Sequence, residues 1–343
     1  MRVLVTGGAG FIGSASVRTF LDRGWEVAVL DDFSRPGSRS NVQWASNPVG
    51  PKIFEGSVVD KRVVENSLKD FEPDAILHLA AQVAVTFSVE DPAHDFEVNT
   101  AGTLNLLEAV RAVAPAAKFI YSSTNKVYGD LSGMPLEELD TRWQLGGVVR
   151  EINEEAPLDF HSPYGCSKGA ADAYVIDYAR VFGLDTTVLR QSCIYGPRQF
   201  GIEDQGWVAW FIIAAMIGRK IKVFGDGKQV RDLLHVDDLV GLYEKIIASP
   251  VRTPSRVYNV GGGIKNSMSV VELLDRIQQE LDSPVHWEFL SARTGDQKFF
   301  VSDNGRALEE LGWRPEVDID AGLGGLFDWV RSNLELIRKT VAG

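Results

Sequence analysis

Tyr164 and Lys168 stand four residues apart in the segment Ser162-Pro163-Tyr164-Gly165-Cys166-Ser167-Lys168. Ser162 is a good helix N-cap and Pro163 suits the first helical position, so the segment predicts a helix start. On a helix the two side chains share one face. A lysine ammonium beside a tyrosine hydroxyl favours the phenolate and lowers the tyrosine pKa. Such a tyrosine takes a proton from an alcohol while hydride leaves the same carbon. Tyr-x-x-x-Lys alone is a common solvated helix face, so the chemistry needs a hydride acceptor. The first residues supply a site for one. Arg2 to Thr6 is a short apolar run, and Gly7-Gly8-Ala9-Gly10-Phe11-Ile12-Gly13 is a glycine-rich turn leading into a helix. Asp31 then ends a second apolar run, Val27-Ala28-Val29-Leu30. Strand, glycine turn, helix, strand and carboxylate form a dinucleotide-binding fingerprint. The glycines let the backbone approach a pyrophosphate, and the helix N-terminus offers it free N–H groups. Asp31 can accept from both ribose hydroxyls and would repel a 2′-phosphate, so NAD rather than NADP is expected.

The elements that must position these residues can be read from the alternation along the chain. Strand-like runs at 2–6, 26–31, 52–55, 75–80, 118–122 and 185–190 are separated by helical patterns such as Thr103 to Ala114. This predicts an α/β fold: a Rossmann-type, doubly wound parallel sheet with helices on both faces. Active residues of such sheets sit just beyond strand C-termini, where Ser123 and Thr124 fall. Their hydroxyls can bond a reacting oxygen, or simply cap a strand end. Residues 1–190 are read as the dinucleotide-binding domain, with an irregular insertion at 130–163 that is either a surface excursion or a substrate lid. Residues 191–343 are read as mainly a smaller, mixed α/β substrate domain, part of which returns to the first. Its predicted elements are helices at 207–217, 237–248 and 269–281 and a short strand at 220–224, followed by the turn Gly225-Asp226-Gly227.

Composition narrows the function classes. At 343 residues with 45% hydrophobic content, the chain can bury a large core. A net charge of −12 argues against nonspecific nucleic-acid binding. No apolar run approaches the ~20 residues of a membrane span, and no leader is expected because the first residues already form a strand. Two cysteines, Cys166 and Cys193, give no disulfide framework and fit a reducing cytoplasm. No Cys/His cluster has metal-ligand spacing, so no metal is expected.

Gly7-x-x-Gly10-x-x-Gly13, Ser123-Thr124 and Tyr164-x-x-x-Lys168 together resemble the extended short-chain dehydrogenase/reductase family, the NAD-dependent epimerases and dehydratases. Leu79-Ala80-Ala81, Asn99, Arg190 through Tyr195-Gly196-Pro197 and Gly225 through Asp232 extend the resemblance over nearly the whole chain. Within the family, Ser122 to Asp130, Leu158 to Asp172 and Asp204 to Val208 are similar to a subgroup of 2-epimerases acting on CDP-hexoses of the paratose and tyvelose type. The resemblance implies roles. Tyr164 would be base and acid, and Lys168 would tune it and hold the nicotinamide ribose. Ser123 would join them as a catalytic hydroxyl. Thr124 would hold the substrate hydroxyl. Gly7, Gly10, Phe11, Ile12 and Gly13 would wrap the NAD pyrophosphate, and Leu79, Ala80, Gln82 and Asn99 would line the cofactor. Asn125 and Gln199 would contact substrate, and Arg231 and Arg293 would clamp its diphosphate. Helices at 103–114 and 168–182 would pair in a homodimer.

The implied activity is a nucleoside-diphosphate-hexose 2-epimerase in which tightly bound NAD takes hydride and returns it. The alternatives are a 4-epimerase with the same machinery and a non-catalytic NAD-binding protein. A 4,6-dehydratase needs an acidic pair after the threonine, and here those positions are Asn125 and Lys126. Two departures from the family pattern stand out. Gly56-Ser57-Val58 lacks the aspartate that meets the adenine amino group in many relatives. Cys193 or Ile194 displaces an asparagine that often contacts substrate phosphate.

Overall fold

The computed structural model describes residues 1–46, 48–147, 150–250, 256–293 and 296–341. In chain order its first elements are β1 (Arg2–Thr6), α1 (Phe11–Asp22), β2 (Glu26–Asp31), α2 (Ser38–Ala45), β3 (Lys52–Glu55), α3 (Lys61–Phe71) and β4 (Ala75–His78). Then come α4 (Val85–Glu90), α5 (Pro92–Phe96), a π-helical turn (Glu97–Ala101), α6 (Gly102–Val113) and β5 (Lys118–Thr124). The middle of the chain holds β6 (Leu136–Glu138), β7 (Trp143–Leu145), α7 (Ser162–Phe182), β8 (Asp185–Gln191), β9 (Cys193–Tyr195) and α8 (Trp207–Met216). After these follow β10 (Ile221–Phe224), β11 (Val230–His235), α9 (Val236–Ala248), β12 (Arg256–Val260) and β13 (Ser267–Ser269). The last elements are α10 (Val270–Leu281), β14 (Trp287–Leu290), β15 (Phe299–Phe300), α11 (Gly305–Leu311), α12 (Ile319–Ser332) and α13 (Leu334–Val341).

The chain divides into two compact units, 1–127 with 162–190 and 240–258, and 128–161 with 191–239 and 259–343. The first contains a seven-stranded sheet in the order β12-β8-β5-β4-β1-β2-β3. β1 pairs in parallel with both β2 and β4, β2 with β3, and β4 with β5. The order reverses between β1 and β4, the topological switch point where such sheets bind ligands. Leu4, Ala28, Leu30, Ile76, Phe119 and Val188 bury the sheet under Val64, Leu68, Leu107, Val110 and Val175 of the helices. The near-continuous apolar strands are what a sheet covered on both faces requires.

The second unit is built around α8, whose sequence WVAWFIIAAM is apolar on all sides. It is buried among Leu273, Leu274, Leu326, Phe327 and Ile337 from α10, α12 and α13. β11 pairs with β9 and β15 in parallel and with β13 antiparallel.

The segment read as an insertion of the first domain belongs instead to the second unit, where it is strapped down. The Trp143 N–H donates to the Lys228 carbonyl at 2.9 Å and its indole N–H to Asp226 at 2.9 Å. Arg142 forks onto the Glu272 carboxylate. The Ile152 N–H donates to the Val301 carbonyl at 2.7 Å, and the Asn259 side chain donates back to the Ile152 carbonyl at 2.8 Å. These ties join residues far apart in sequence, which is why local pattern did not reveal them. β12 is the strand of the first sheet that the alternation does not show, and with α9 it forms the part of the chain, 240–258, that returns to the first unit.

Candidate active site

The glycine turn is shaped by three different demands. Gly7 has φ +70°, and a Cβ there would lie 2.7 Å from the Ala80 nitrogen and 2.8 Å from the Leu79 carbonyl carbon. Leu79 and Ala80 therefore lie directly against the turn, held by N–H donation to the Thr6 carbonyl and hydroxyl at 3.0 and 3.3 Å. A Cβ on Gly13 would sit 2.2 Å from the Gly7 oxygen, so helix and turn touch backbone to backbone. A Cβ on Gly10 would meet only the Gly7 oxygen, at 3.2 Å. The protein itself barely requires glycine at position 10, whereas a ligand at the backbone would. Gly10 caps α1 without a side-chain hydrogen bond, leaving the first-turn N–H groups of Phe11, Ile12 and Gly13 to an anion. The residues present thus fit a dinucleotide pyrophosphate.

Asp31 ends β2 with each oxygen already accepting one backbone N–H, from Ala9 at 2.9 Å and Phe33 at 2.8 Å. Burial raises its pKa, and those two N–H groups oppose the rise. Lone pairs remain on both oxygens for ribose hydroxyls. Asp31→Ala is expected to weaken NAD retention and relax discrimination against NADP, measured as nucleotide released from denatured protein. NADP in the wild-type protein would overturn this. The neighbouring Ser57 accepts from the Val59 N–H at 3.3 Å and carries no charge towards an adenine.

Gln82 and Asn99 form scaffold beneath this end of the sheet. The Gln82 side chain is committed to the Ala84 carbonyl and N–H and to Asp95. The Asn99 amide accepts from the Gln82 N–H at 2.9 Å and donates to the Gln82 carbonyl, Asp95 and Ser167. Asn99 sits in the π-helical turn, a feature frequent at functional sites. Below it, His78 bridges the hydroxyls of Thr6 (2.7 Å) and Thr103 (3.0 Å). Burial, reinforced by Lys168, lowers its pKa to about 3, so it remains neutral. His78 and Asp95 were not singled out in the sequence, because nothing local marks a buried polar hub.

α7 begins as predicted, with the Ser162 hydroxyl accepting from the Gly165 N–H at 3.2 Å. Tyr164 is 9% exposed and bonds the Thr124 hydroxyl. The Thr124 hydroxyl also lies 3.3 Å from the Asn125 side-chain oxygen and accepts from the Lys126 N–H at 3.3 Å. Lys168 donates to the Ser122 carbonyl at 2.6 Å, and its ammonium lies 4.3 Å from the centre of the Tyr121 ring. Two expectations change here. Burial pushes the Tyr164 pKa up to about 12, with only the Thr124 hydrogen bond lowering it. Lys168 cannot supply the full expected field, because burial lowers its own pKa to about 7 against the attraction of Asp172 and Asp95. Ser123, expected to touch the reacting oxygen, donates to the buried Asp172 carboxylate at 2.8 Å instead. Asp172 and its partner Arg190 were not recognised as site residues. The available signal was that Asp172 continues the stripe of Tyr164 and Lys168 by one more turn.

Within the second unit, Arg231 is 7% exposed and donates to Asp296 at 2.9 Å. Arg293 donates to Asp204 at 2.9 Å and lies 3.9 Å over the Phe224 ring, and its buried Nε has no partner among the described residues. Gln199 donates to the Ile194 carbonyl at 3.2 Å, while its buried side-chain oxygen has no partner among the described residues. Cys193 accepts from the Trp207 indole at 3.3 Å, so the residue in the asparagine's place faces an aromatic ring. Among the described residues, Asp130, Asp159 and His161 bring three ligand-type atoms within 4.8 Å of one another. His161 Nε2 lies 3.0 Å from Asp159, and the three link the ends of the 130–161 segment.

Comparison with known proteins follows the same lines. Residues 3–261 match the family model described as the NAD dependent epimerase/dehydratase family. The chain is 42% identical over 337 residues to the CDP-paratose 2-epimerase of Salmonella typhi, covering 97% of this chain and 100% of that protein. The UDP-glucose 4-epimerase of Thermus thermophilus, solved with NAD, superimposes with a TM-score of 0.83 at 35% identity, covering 96% of this chain and 99% of that one. A dTDP-glucose 4,6-dehydratase from Streptomyces venezuelae gives 0.84 at 29% identity, covering 98% of each chain. The chain belongs to the NAD dependent epimerase/dehydratase family, and NAD is its cofactor.

Proposed function

We propose that the protein is a nucleoside-diphosphate-hexose 2-epimerase that inverts carbon 2 of a CDP-activated hexose through a transient ketone. The observation that carries the reading is the buried hydroxyl pair of Tyr164 and Thr124 at the end of β5, with Lys168 one helical turn on from Tyr164. NAD, when bound, supplies a hydride acceptor of positive charge. Tyr164 takes the carbon-2 hydroxyl proton and later returns it, while Thr124 orients that hydroxyl. Lys168 holds the nicotinamide ribose and, when protonated and joined by the positive charge of bound NAD, favours the Tyr164 phenolate against the burial that raises its pKa. Gln199, Arg231 and Arg293 serve the substrate, the two arginines taking its diphosphate, for which a guanidinium fork is suited. Asn125 and Lys126 stand where a dehydratase needs a carboxylic acid, so elimination of water is disfavoured. Carbon 2 and the cytidine base are supported by the likeness to the Salmonella protein. The likeness to UDP-glucose 4-epimerases supports inversion at carbon 4 as the second reading.

Because hydride leaves and returns within one turnover, NAD is retained between turnovers. Substrate deuterated at carbon 2 is expected to give product that keeps the label in ordinary water, read by mass spectrometry and NMR. Loss of deuterium, or inversion at carbon 4 with carbon 2 untouched, would sink the 2-epimerase reading. The protein is proposed to act as a homodimer in the cytoplasm. Tyr174, Val181 and Phe182 of α7 are exposed, and Cys166 and Cys193 are not joined in a disulfide, which fits a reducing compartment.

A further inference from the structure

Tyr164, Lys168 and Asp172 are spaced by four along α7, and they meet three consecutive residues at the end of β5. Tyr164 bonds the Thr124 hydroxyl, Lys168 donates to the Ser122 carbonyl at 2.6 Å, and Asp172 accepts from the Ser123 hydroxyl at 2.8 Å. Asp172 is 1% exposed. Arg190 of β8 grips both its oxygens, Nε to Oδ2 at 3.0 Å and Nη2 to Oδ1 at 3.2 Å. One buried carboxylate thus fixes β5, α7 and β8 together, one turn from a buried ammonium.

We propose that Asp172 is a positioning residue that keeps Lys168 protonated, and that Arg190 and Ser123 set how strongly it does so. The inference deepens the Tyr164–Lys168 reading above and rests on it. Among the described residues, the charged and titratable groups that act on or lie against Lys168 are Asp172 on α7, Asp95 on α5, Tyr121 on β5 and His78 on β4, with Tyr164 one turn back along α7. Tyr121 is buried and held well above the usual phenol range, and His78 is neutral, so neither brings charge. Asp172 and Asp95 are the two groups that oppose the burial of the ammonium, and Asp172 acts more strongly. Three donors on Asp172 draw off part of its field. Removing a donor should strengthen its hold on Lys168, whereas removing the carboxylate should release it.

The test is the NMR titration of Lys168 in holoenzyme labelled with carbon-13 at the lysine ε-carbon, with the resonance assigned by its loss in Lys168→Arg. No substrate is needed, so a failure here is distinguishable from a failure of the epimerase reading. Asp172→Asn is expected to lower the Lys168 inflection by about one pH unit or more. Arg190→Gln and Ser123→Ala are expected to raise it, Ser123→Ala by less. Ser123→Ala changes little volume and decides the question if the other variants do not fold. The pH limb of the epimerase rate should move with the NMR inflection in each variant. Shifts of the same sign in all variants, or an unmoved inflection in Asp172→Asn or in Ser123→Ala, would overturn the proposal and leave Asp172 a purely structural tie.

Discussion

Tyr164→Phe is expected to lower kcat by about 10²–10⁴-fold while the protein still carries NAD. The ring keeps its volume against its buried neighbours, so only the hydroxyl and its bond to Thr124 are lost. Among the described residues, the other groups at the Thr124 hydroxyl are not suited to exchange a proton with a sugar alcohol. Asn125 is an amide and Lys126 reaches Thr124 through its backbone N–H. The comparison is kcat on the CDP-hexose substrate, together with the NAD content of heat-denatured protein. Turnover at the wild-type rate would show that the proton passes elsewhere. Loss of NAD together with activity would show that the hydroxyl is needed for binding rather than for chemistry.

Gly13→Ala is expected to abolish NAD retention and lower stability by about 1–3 kcal/mol or more, the scale of overpacking a filled site. The added Cβ would lie 2.2 Å from the Gly7 oxygen and 2.6 Å from the Gly8 Cα, and both are backbone atoms that cannot rotate away. Either α1 moves off the turn or the turn opens, and each destroys the pyrophosphate cradle. Gly10→Ala is the control, because its Cβ would meet one protein atom at 3.2 Å. It should keep near wild-type thermal stability and lose cofactor affinity alone. Thermal unfolding measured beside released NAD separates the two effects. If Gly13→Ala melts like wild type and still carries NAD, the turn is not under the constraint described here.

The first sheet was legible because its signals are local. A parallel strand buried on both faces must be apolar throughout, so β1, β2 and β4 stand out as runs, whereas the edge strand β3 is exposed and carries charges at both ends. The chemical constraints on the pyrophosphate turn fall within one strand, turn and helix, so Gly7, Gly10, Gly13 and Asp31 could be named together. Tyr164 and Lys168 were legible for the same reason, since four residues on a helix fix their relation without help from the rest of the chain.

Tertiary structure decided what those residues experience. Four residues of spacing say that an ammonium and a phenol share a helix face, but not how far each is removed from water. Burial raises Tyr164 and lowers Lys168, the reverse of a simple ammonium–phenolate pair. Ser123 and Asp172 are 49 residues apart, and Arg190 comes from a further strand. Only the stacking of β5, α7 and β8 joins them, and it turns the Ser123 hydroxyl onto a carboxylate. The 128–161 segment likewise has no strong pattern of its own. It is fixed by backbone and side-chain bonds to residues between 226 and 303, which are remote in sequence. Hydrophobic periodicity and turn chemistry act over a few residues and can be read along the chain. Desolvation and long-range hydrogen bonds depend on which distant segments exclude water from one another, and only the folded arrangement sets that.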